Sequence, residues 1–275
     1  MKSLSKQLLS PLVAGAGARA GVVAASPPVC RRGAIRRRCA ALVLGLLAAG
    51  FGARVQAGTL SMLVDTGTEM PVAQLHASQV LGGLQKDLGE ALASRLGRTA
   101  NFTALPRKRI AEALENGKAD LLCMYLPEWL PGDFNWSQGF FPIVEVVISD
   151  LSVAAPHTLA DLAGQTVGTV LGYSYPEMEQ ALGSAFVRED APSAENNLRK
   201  MSIGRIHYAL TTTAYLAYHL KTGGPMALHA PLVVKSYRTE CAVSRRGQVS
   251  VGEVNTAIGQ IVRDGTLNRI LMRYQ

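Results

Sequence analysis

Hydrophobic positions recur along the chain with two periods, and each period predicts one kind of element. From Leu84 to Leu96 a leucine stands at every fourth position, the spacing of one helix face, and Gly97 follows as a typical helix end. Short apolar runs on either side are typical of buried strands. This part of the chain predicts strands at 59–64, 101–105 and 119–126, and helices at 78–96 and 107–116. Such alternation with short links indicates a parallel sheet flanked by helices.

The alternation resumes after residue 150, behind an irregular segment over 127–142 that holds both tryptophans. Local signals mark the helix starts, because Pro176 suits a first turn and Ser193 suits an N-cap. Ser250 and Glu253 form a capping-box pattern. We predict strands at 143–149, 166–171, 186–188, 208–213 and 240–244, with helices at 161–164, from 176, at 193–201, from 213 to 221, at 250–265 and at 266–274; the stripe of the helix at 250–265 would be Val251, Val254, Ile258, Ile261 and Val262.

Charge is distributed unevenly along the 275 residues. The chain has 28 Lys and Arg against 20 Asp and Glu, but residues 1–57 hold nine of the basic residues and no acid. The remainder therefore carries 28 − 9 = 19 basic and 20 acidic side chains, a net charge of −1. This excludes the class of basic nucleic-acid-binding proteins. The 48% hydrophobic content is ample for a core and argues against a disordered protein.

Residues 1–57 have the pattern of a secretory signal peptide. Three arginines at 36–38 precede a charge-free apolar run over 40–53, and small residues lead to a cleavage site after Ala57. The alternative is a membrane anchor, but the run is shorter than the roughly 20 residues that span a bilayer. The signal predicts a periplasmic protein.

The exported part of the chain would keep two cysteines, Cys123 and Cys241. In an oxidising compartment an isolated pair indicates one disulfide, and the alternative is two buried thiols. Two cysteines do not make a zinc site, and the sequence has no CxxC or HExxH motif. We expect no metal and no cofactor.

Several runs together resemble bacterial extracellular solute-binding proteins of family 3. The order and spacing of the runs carry the resemblance, which covers nearly all of the predicted exported chain. They are 83–97 (GLQKDLGEALASRLG), 106–120 (PRKRIAEALENGKAD), 136–142 (WSQGFFP), 159–168 (LADLAGQTVG), 204–205 (GR) and 254–274, with the pattern N-x-A-x₇-G-x-L-x-x-I-x-x-x-Y.

The resemblance implies an α/β, two-lobed type II periplasmic-binding-protein fold, in which each lobe is a mostly parallel sheet flanked by helices. Lobe I would span 58–143 and 240–275, and lobe II would span 144–239. Two hinge strands would join the lobes, and a ligand would lie in the cleft between them. The same fold would place Cys123 and Cys241 on neighbouring strands.

The sequence departs from the amino-acid-binding members at both charged anchors that the resemblance implies. Those members hold the ligand's α-carboxylate with an arginine after the third strand of lobe I. Here no arginine occurs between Arg109 and Arg188, and residues 127–131 read PEWLP. They hold the α-ammonium with an aspartate of lobe II, where this chain has Thr212 or Thr213. Because an unpaired buried charge is costly, a standard α-amino acid is a poor ligand.

Aromatic and polar side chains remain at the positions that would face the cleft. Tyrosine and tryptophan stack on flat ligands, or on a cation when Glu69 or Glu128 joins them. The alternatives are that the tryptophans pack the long loop, and that Arg107 is a solvated helix-start residue. The predicted ligand-binding residues are Thr66, Glu69, Arg107, Tyr125, Glu128, Trp129, Trp136, Tyr173, Ser174 and Tyr175.

We therefore expect a periplasmic binding protein, not an enzyme, that captures a small polar or aromatic metabolite. It would deliver this solute to an ABC permease or to a membrane sensor, act as a monomer and bind no nucleic acid. The alternatives are an enzyme of the dehydratase kind, with Glu69 or Glu128 as general acid or base, and a ligand-sensing receptor module.

Overall fold

The computed structural model describes residues 58–275, and the predicted signal peptide lies outside them. The strands are β1 (Thr59–Asp65), β2 (Gln74–His76), β3 (Gln79–Gly82), β4 (Thr99–Leu105), β5 (Leu121–Tyr125), β6 (Asn135–Trp136), β7 (Phe141–Ser149), β8 (Thr166–Val170), β9 (Val187–Ala191), β10 (Tyr208–Thr212) and β11 (Leu232–Val243). The α-helices are α1 (Leu84–Arg95), α2 (Arg107–Glu115), α3 (Pro176–Leu182), α4 (Ala194–Ser202), α5 (Thr213–Thr222), α6 (Val251–Arg263) and α7 (Thr266–Arg273).

The main sheet has the order β4-β1-β5-β11-β7-β10-β8-β9, and β6 pairs with β11. Its outer parts are parallel, as the alternating pattern predicts: β1 with β4 and β5, and β8 with β9 and β10. We call β4, β1, β5 and β6 the first sheet half, and β10, β8 and β9 the second. The hinge strands β7 and β11 are antiparallel to their neighbours and join the two halves.

Each sheet half buries apolar side chains on both faces. In the first half, Leu88 and Leu92 of α1 pack in one cluster, and Ile110 and Leu114 of α2 pack in another. All four are fully buried, and burying each contributes roughly 1.5–3 kcal/mol relative to exposure. The second half repeats this arrangement with two further clusters. The predicted lobe boundaries at 143/144 and 239/240 fall within β7 and β11, and they remain a prediction.

The first helix begins later than the leucine period predicts. Residues of the predicted helix start instead form the β2–β3 hairpin, whose turn residues Ala77 and Ser78 have φ of 46° and 68°. Gly83 follows the hairpin at the N-cap position of α1, and the position requires glycine because a Cβ there would lie 2.5 Å from the Cα of Ala73. The prediction of a helix from residue 78 is therefore wrong by six residues.

Two other sequence predictions need correction. Strand β11 begins at Leu232 rather than at 240, because it pairs with β7 along the hinge before it reaches β5. In α6 the buried stripe contains Ala257 but not Val262, which is 48% exposed. The capping box of Ser250 and Glu253 is confirmed, and each side chain receives the other residue's backbone N–H.

The predicted disulfide is confirmed. Cys123 of β5 and Cys241 of β11 are bonded, with Cα atoms 3.9 Å apart. The two residues face each other in the antiparallel register of these strands. The bond therefore fixes the end of β11 to the first sheet half.

Within residues 58–275, none of the helices combines the length and the apolar character that a membrane crossing requires.

Candidate ligand-binding cavity

A cavity of about 400 Å³ lies where strands of both sheet halves end. On one side the lining includes Asp65 and Tyr125, the last residues of β1 and β5. On the other side it includes Val170 and Thr212, the last residues of β8 and β10. The hinge strands contribute Ile143, Glu145 and Tyr237. The carboxyl ends of strands are where open α/β sheets gather ligands.

The structure brings eight of the ten predicted ligand-binding residues to this cavity: Glu69, Arg107, Tyr125, Glu128, Trp129, Tyr173, Ser174 and Tyr175. Their part in binding remains a prediction.

Thr66 and Trp136 do not line the cavity, so the structure corrects their predicted position. Thr66 donates its backbone N–H to Leu105 and leaves its side chain exposed. Trp136 pairs with Ala242 of β11, and its ring packs edge-on against Phe134 at 6.2 Å. It serves the core of the first sheet half, which was one of the alternatives for the tryptophans.

Arg107 is held between aromatic rings from both sides of the cavity. Its guanidinium carbon lies 5.5 Å from the ring centre of Tyr125 and 5.2 Å from that of Tyr173. One nitrogen donates to the Trp129 carbonyl at 3.2 Å, and another lies 3.9 Å from Oδ2 of Asp65. Arg107 is therefore engaged with the protein and is not a solvated helix-start residue.

Asp65 is a buried carboxylate that the sequence prediction missed. Its Oδ2 accepts a hydrogen bond from the Tyr125 hydroxyl at 3.0 Å, and its Oδ1 accepts one from the Gly67 N–H at 2.9 Å. Burial, reinforced by the negative charge of Asp65, raises the pKa of Tyr125, so the phenol stays protonated. The position of Asp65 directly after an apolar strand was the signal that could have identified it.

Glu69 reaches across the cavity to the second sheet half. Its Oε1 accepts the backbone N–H groups of Ala194 at 2.9 Å and Glu195 at 3.3 Å, at the N-terminus of α4. Burial raises the pKa of Glu69, and the hydrogen bonds from Glu195, Ser193 and Ala194 oppose that rise. The positive end of the helix dipole favours the ionised carboxylate here.

Glu145 is the second acid that the sequence prediction missed, and it lies on hinge strand β7. Burial raises its pKa to about 7, repulsion from Glu177 adds to the rise, and Lys235 opposes it. Its Oε2 is buried and has no hydrogen-bond partner among residues 58–275. Lys235, its cross-strand neighbour on β11, instead pairs with Glu177.

The rings of Tyr125, Trp129 and Tyr237 form an aromatic wall of the cavity, which runs from the first sheet half to hinge strand β11. The ring centres of Tyr237 and Trp129 lie 5.3 Å apart, and Trp129 lies 6.5 Å from Tyr125. The Tyr237 hydroxyl donates to Oε2 of Glu177 at 2.8 Å. Burial and this hydrogen bond raise the pKa of Tyr237.

Tyr175 and Ser174 mark the start of α3. Tyr175 is buried, and its hydroxyl accepts the Val170 N–H at 2.9 Å. Burial raises the pKa of Tyr175. Ser174 is exposed at the mouth of the cavity and precedes the N-cap, so its hydroxyl does not cap the helix.

Two further cavity-lining residues have buried oxygen atoms with no partner in the described part of the chain. Gln85 is 4% exposed and donates Nε2 to the Cys123 carbonyl at 3.2 Å, which leaves its Oε1 unpaired. Thr211 is 9% exposed, and its Oγ1 is unpaired. Buried polar atoms are usually hydrogen-bonded, so Gln85 and Thr211 bring unused hydrogen-bonding capacity to the lining of the cavity.

No protein-family model and no curated protein matches the sequence. Solved structures do match. An ancestral arginine-binding protein bound to arginine superposes with a TM-score of 0.63 at 20% identity, and the match covers 80% of this chain and 99% of that protein. A Salmonella typhimurium periplasmic binding protein of high arginine specificity superposes with a TM-score of 0.60 at 19% identity, and the match covers 79% of this chain and 99% of that protein.

A third match is the periplasmic VFT2 domain of Bordetella pertussis BvgS, with a TM-score of 0.63 at 16% identity, covering 81% of this chain and 95% of that domain. At these identities the likeness establishes the architecture. The chain has the two-lobed type II periplasmic-binding-protein fold.

Proposed function

We propose that this protein is a periplasmic solute-binding protein that captures a small polar or aromatic metabolite and passes it to an ABC permease. The observation that carries the proposal is the cavity, whose walls come from both sheet halves and from the strands that join them. A volume of about 400 Å³ suits a small molecule. Bending of the two hinge strands would admit and release it.

Two independent features support the periplasm as the compartment. The predicted signal peptide would export the chain, and the Cys123–Cys241 disulfide is of the kind that forms and persists in oxidising compartments. Delivery to a membrane sensor is the alternative to delivery to a permease.

The ligand we propose is not a standard α-amino acid. Among the described residues that line the cavity, Arg107 is the one basic side chain, and its contacts with Trp129, Tyr125 and Tyr173 already occupy it. A ligand carboxylate would have to compete with these contacts. The neighbours that bind arginine or other amino acids therefore support the mode of binding and not the ligand's identity.

Catalysis is the competing function, since one matching structure is an ancestral amino-acid-binding protein described as a precursor of cyclohexadienyl dehydratase. Glu69 and Glu128 are the candidate acids. Glu69 has a raised pKa, but its Oε1 accepts two backbone N–H groups that favour its ionised form. Glu128 is exposed. The environments of these two acids favour binding over turnover.

Native mass spectrometry of protein purified from periplasm tests the proposal. We expect a co-purified molecule that leaves on unfolding and that raises the Tm when it is added back to refolded protein. Incubation with that molecule should yield no product by liquid chromatography–mass spectrometry. Product formation that Glu69→Gln or Glu128→Gln abolishes would establish an enzyme instead. Absence of any bound molecule, together with no Tm shift across a metabolite library, would overturn the proposal.

A further inference from the structure

We propose that the ligand is a protonated primary amine that carries no carboxylate, with Glu145 as its counter-ion. This inference rests on the proposed function, because it takes the cavity to be a solute-binding site. It specifies the chemical class of that solute from the charges and hydrogen-bonding groups that line the cavity.

The cavity lining is acidic. Asp65, Glu69, Glu128 and Glu145 line it, against Arg107 as the basic residue among the described lining. Arg107 lies 3.9 Å from Asp65, so these two opposite charges offset each other. Three carboxyl groups remain without a cation in the lining, so the charge of the lining favours a positively charged solute over an anion.

Glu145 is the acid whose surroundings are incomplete. Both oxygens of Asp65 and one of Glu69 accept hydrogen bonds from the protein. Oε2 of Glu145 is buried without a partner in the described part of the chain. Lys235, the cross-strand neighbour of Glu145, is paired with Glu177. An ammonium group at Glu145 would supply the missing charge and the missing donor together.

The other unpaired groups also require a donor from the ligand. Oε1 of Gln85 is buried without a partner in the described part of the chain, whereas its Nε2 already donates to the Cys123 carbonyl. The hydroxyl hydrogens of Tyr125 and Tyr237 go to carboxylates, so both phenols offer acceptor lone pairs. A primary ammonium has three N–H donors. A quaternary ammonium has none and would leave these oxygens unpaired.

Aromatic rings complete the environment of a cation. Trp129 lies edge-on to Tyr125 and to Tyr237, which forms a continuous aromatic wall beside Glu145 on the hinge. The faces of such rings attract organic cations, with larger effects where water is excluded. Arg107 lies over Tyr125 and Lys235 lies over Tyr237, so within residues 58–275 the Trp129 ring is the one of the three with no protein cation over it. The same wall gives the apolar part of an amine a surface to pack on. A ligand carboxylate would gain nothing from this wall, and the surrounding carboxyl groups would repel it.

Matched pairs of amines and amino acids test the inference, because each pair shares a cation and differs in the α-carboxylate. The probes are tyramine with tyrosine, agmatine with arginine, and putrescine with ornithine, measured by Tm shift and by calorimetric titration on the disulfide-bonded protein at pH 8. We expect at least one amine to bind, and to bind more than tenfold more tightly than its amino-acid partner.

Glu145→Gln is the decisive variant because it keeps the shape of the side chain and removes the charge. It should weaken binding of that amine at least tenfold, whereas Glu90→Gln, on the exposed face of α1, should leave it unchanged. Circular dichroism of both variants checks folding. An affinity of Glu145→Gln within twofold of wild type would overturn the inference.

The outcomes separate this inference from the proposed function. If amino acids bind and their amines do not, the amine class is wrong while solute binding stands. The same holds if the molecule that co-purifies with the protein is neutral or anionic. If neither the probes nor any metabolite binds, the proposed function fails as well.

Discussion

Oε1 of Glu69 lies 2.9 Å from the backbone nitrogen of Ala194, so an acid from the first sheet half caps a helix of the second across the ligand cavity. Helix α4 also has its own N-cap in Ser193, whose hydroxyl accepts the Asn196 N–H. The two caps use different N–H groups. Glu69 therefore ties the two sheet halves together in addition to completing the helix end.

Removing this contact should destabilise the protein modestly. For Glu69→Ala we expect the free energy of unfolding to fall by about 1 kcal/mol, the usual cost of losing a cap and a favourable charge at a helix N-terminus. Glu69→Gln keeps an acceptor oxygen and should lose less. Urea unfolding at pH 7 measures both. Equal losses for the two variants would show that the hydrogen bonds at Ala194 contribute little.

The stability of the ligand-free protein should depend on pH through Glu145. Burial raises its folded pKa to about 7, above the ordinary glutamate pKa of 4.5, so the folded state binds more protons than the unfolded state between these values. The contribution of Glu145 therefore becomes less favourable as pH rises from about 5 to about 7, by up to roughly 3 kcal/mol.

Glu145→Gln should remove that loss. We expect the variant to match wild type near pH 4.5 and to be more stable at pH 8, as measured by urea unfolding at both pH values. Around Glu145, the pKa values of Lys235, Tyr175 and Tyr237 are raised from values that already lie above this pH range, and the pKa of Glu177 is lowered, so none of these groups changes charge between pH 4.5 and 8 as Glu145 does. A difference that does not grow with pH would show that the carboxyl group is adequately solvated.

The affinity for an amine should rise with pH as Glu145 ionises, whereas the stability of the ligand-free protein should fall. At pH 6 Glu145 is mostly protonated, since its pKa is about 7, and an ammonium must displace that proton. We expect the affinity to be about tenfold weaker at pH 6 than at pH 8 in wild type, and nearly constant in Glu145→Gln. Calorimetry in two buffers of different ionisation enthalpy would detect the released proton. No pH dependence in wild type would show that another acid holds the cation.

The disulfide should make a large contribution to stability. Cys123 and Cys241 are 118 positions apart, and closing so long a loop is worth on the order of 4 kcal/mol in the chain-entropy model. We expect the double variant Cys123→Ala, Cys241→Ala to unfold at markedly lower urea concentration. Dithiothreitol should destabilise wild type and leave the double variant unchanged. Equal sensitivity of the two proteins would contradict this account.

The contact between Arg107 and Tyr173 links residues from opposite sides of the cavity, and it should contribute to the free energy of unfolding. A double-mutant cycle of Arg107→Gln and Tyr173→Leu should give a coupling of about 0.5–1 kcal/mol, the range for a cation above an exposed ring. Thermal or urea unfolding of the four proteins measures it. The pair Arg107 and Tyr175 serves as the control, because the guanidinium above the Tyr175 ring belongs to Arg188.

Elements with local signals were predicted well. The capping box at Ser250, the proline at the start of α3 and the glycine after α1 each act within a few residues of the helix end that they define. The β2–β3 hairpin was missed because the leucine period suggested that the helix extended back through it. Its turn depends on positive φ at Ala77 and Ser78, and neither alanine nor serine favours this conformation, so no signal in the sequence indicates the turn.

The candidate site was predicted where strand ends determine it and missed where distant segments meet. Tyr125 and Tyr173 follow from their place after apolar strands. Glu145 lies within the β-branched run of β7 and looks like an ordinary solvent-facing strand position. Its raised pKa depends on Glu177 and Lys235, which tertiary folding brings near it. Trp136 shows the reverse error, because the sequence predicts a cleft position for it and the fold packs its ring on Phe134 instead.

Strand β11 is covalently clamped at one end and contacts the cavity in its middle. Cys241 ties the strand to β5, whereas Tyr237 faces the cavity and the ladder with β7 is irregular between Val233 and Lys235. If the second sheet half moves relative to the first, β11 must therefore bend at a point away from Cys241. Amide protons near Cys241 should exchange slowly with or without solute, and those near Val233 should report occupancy.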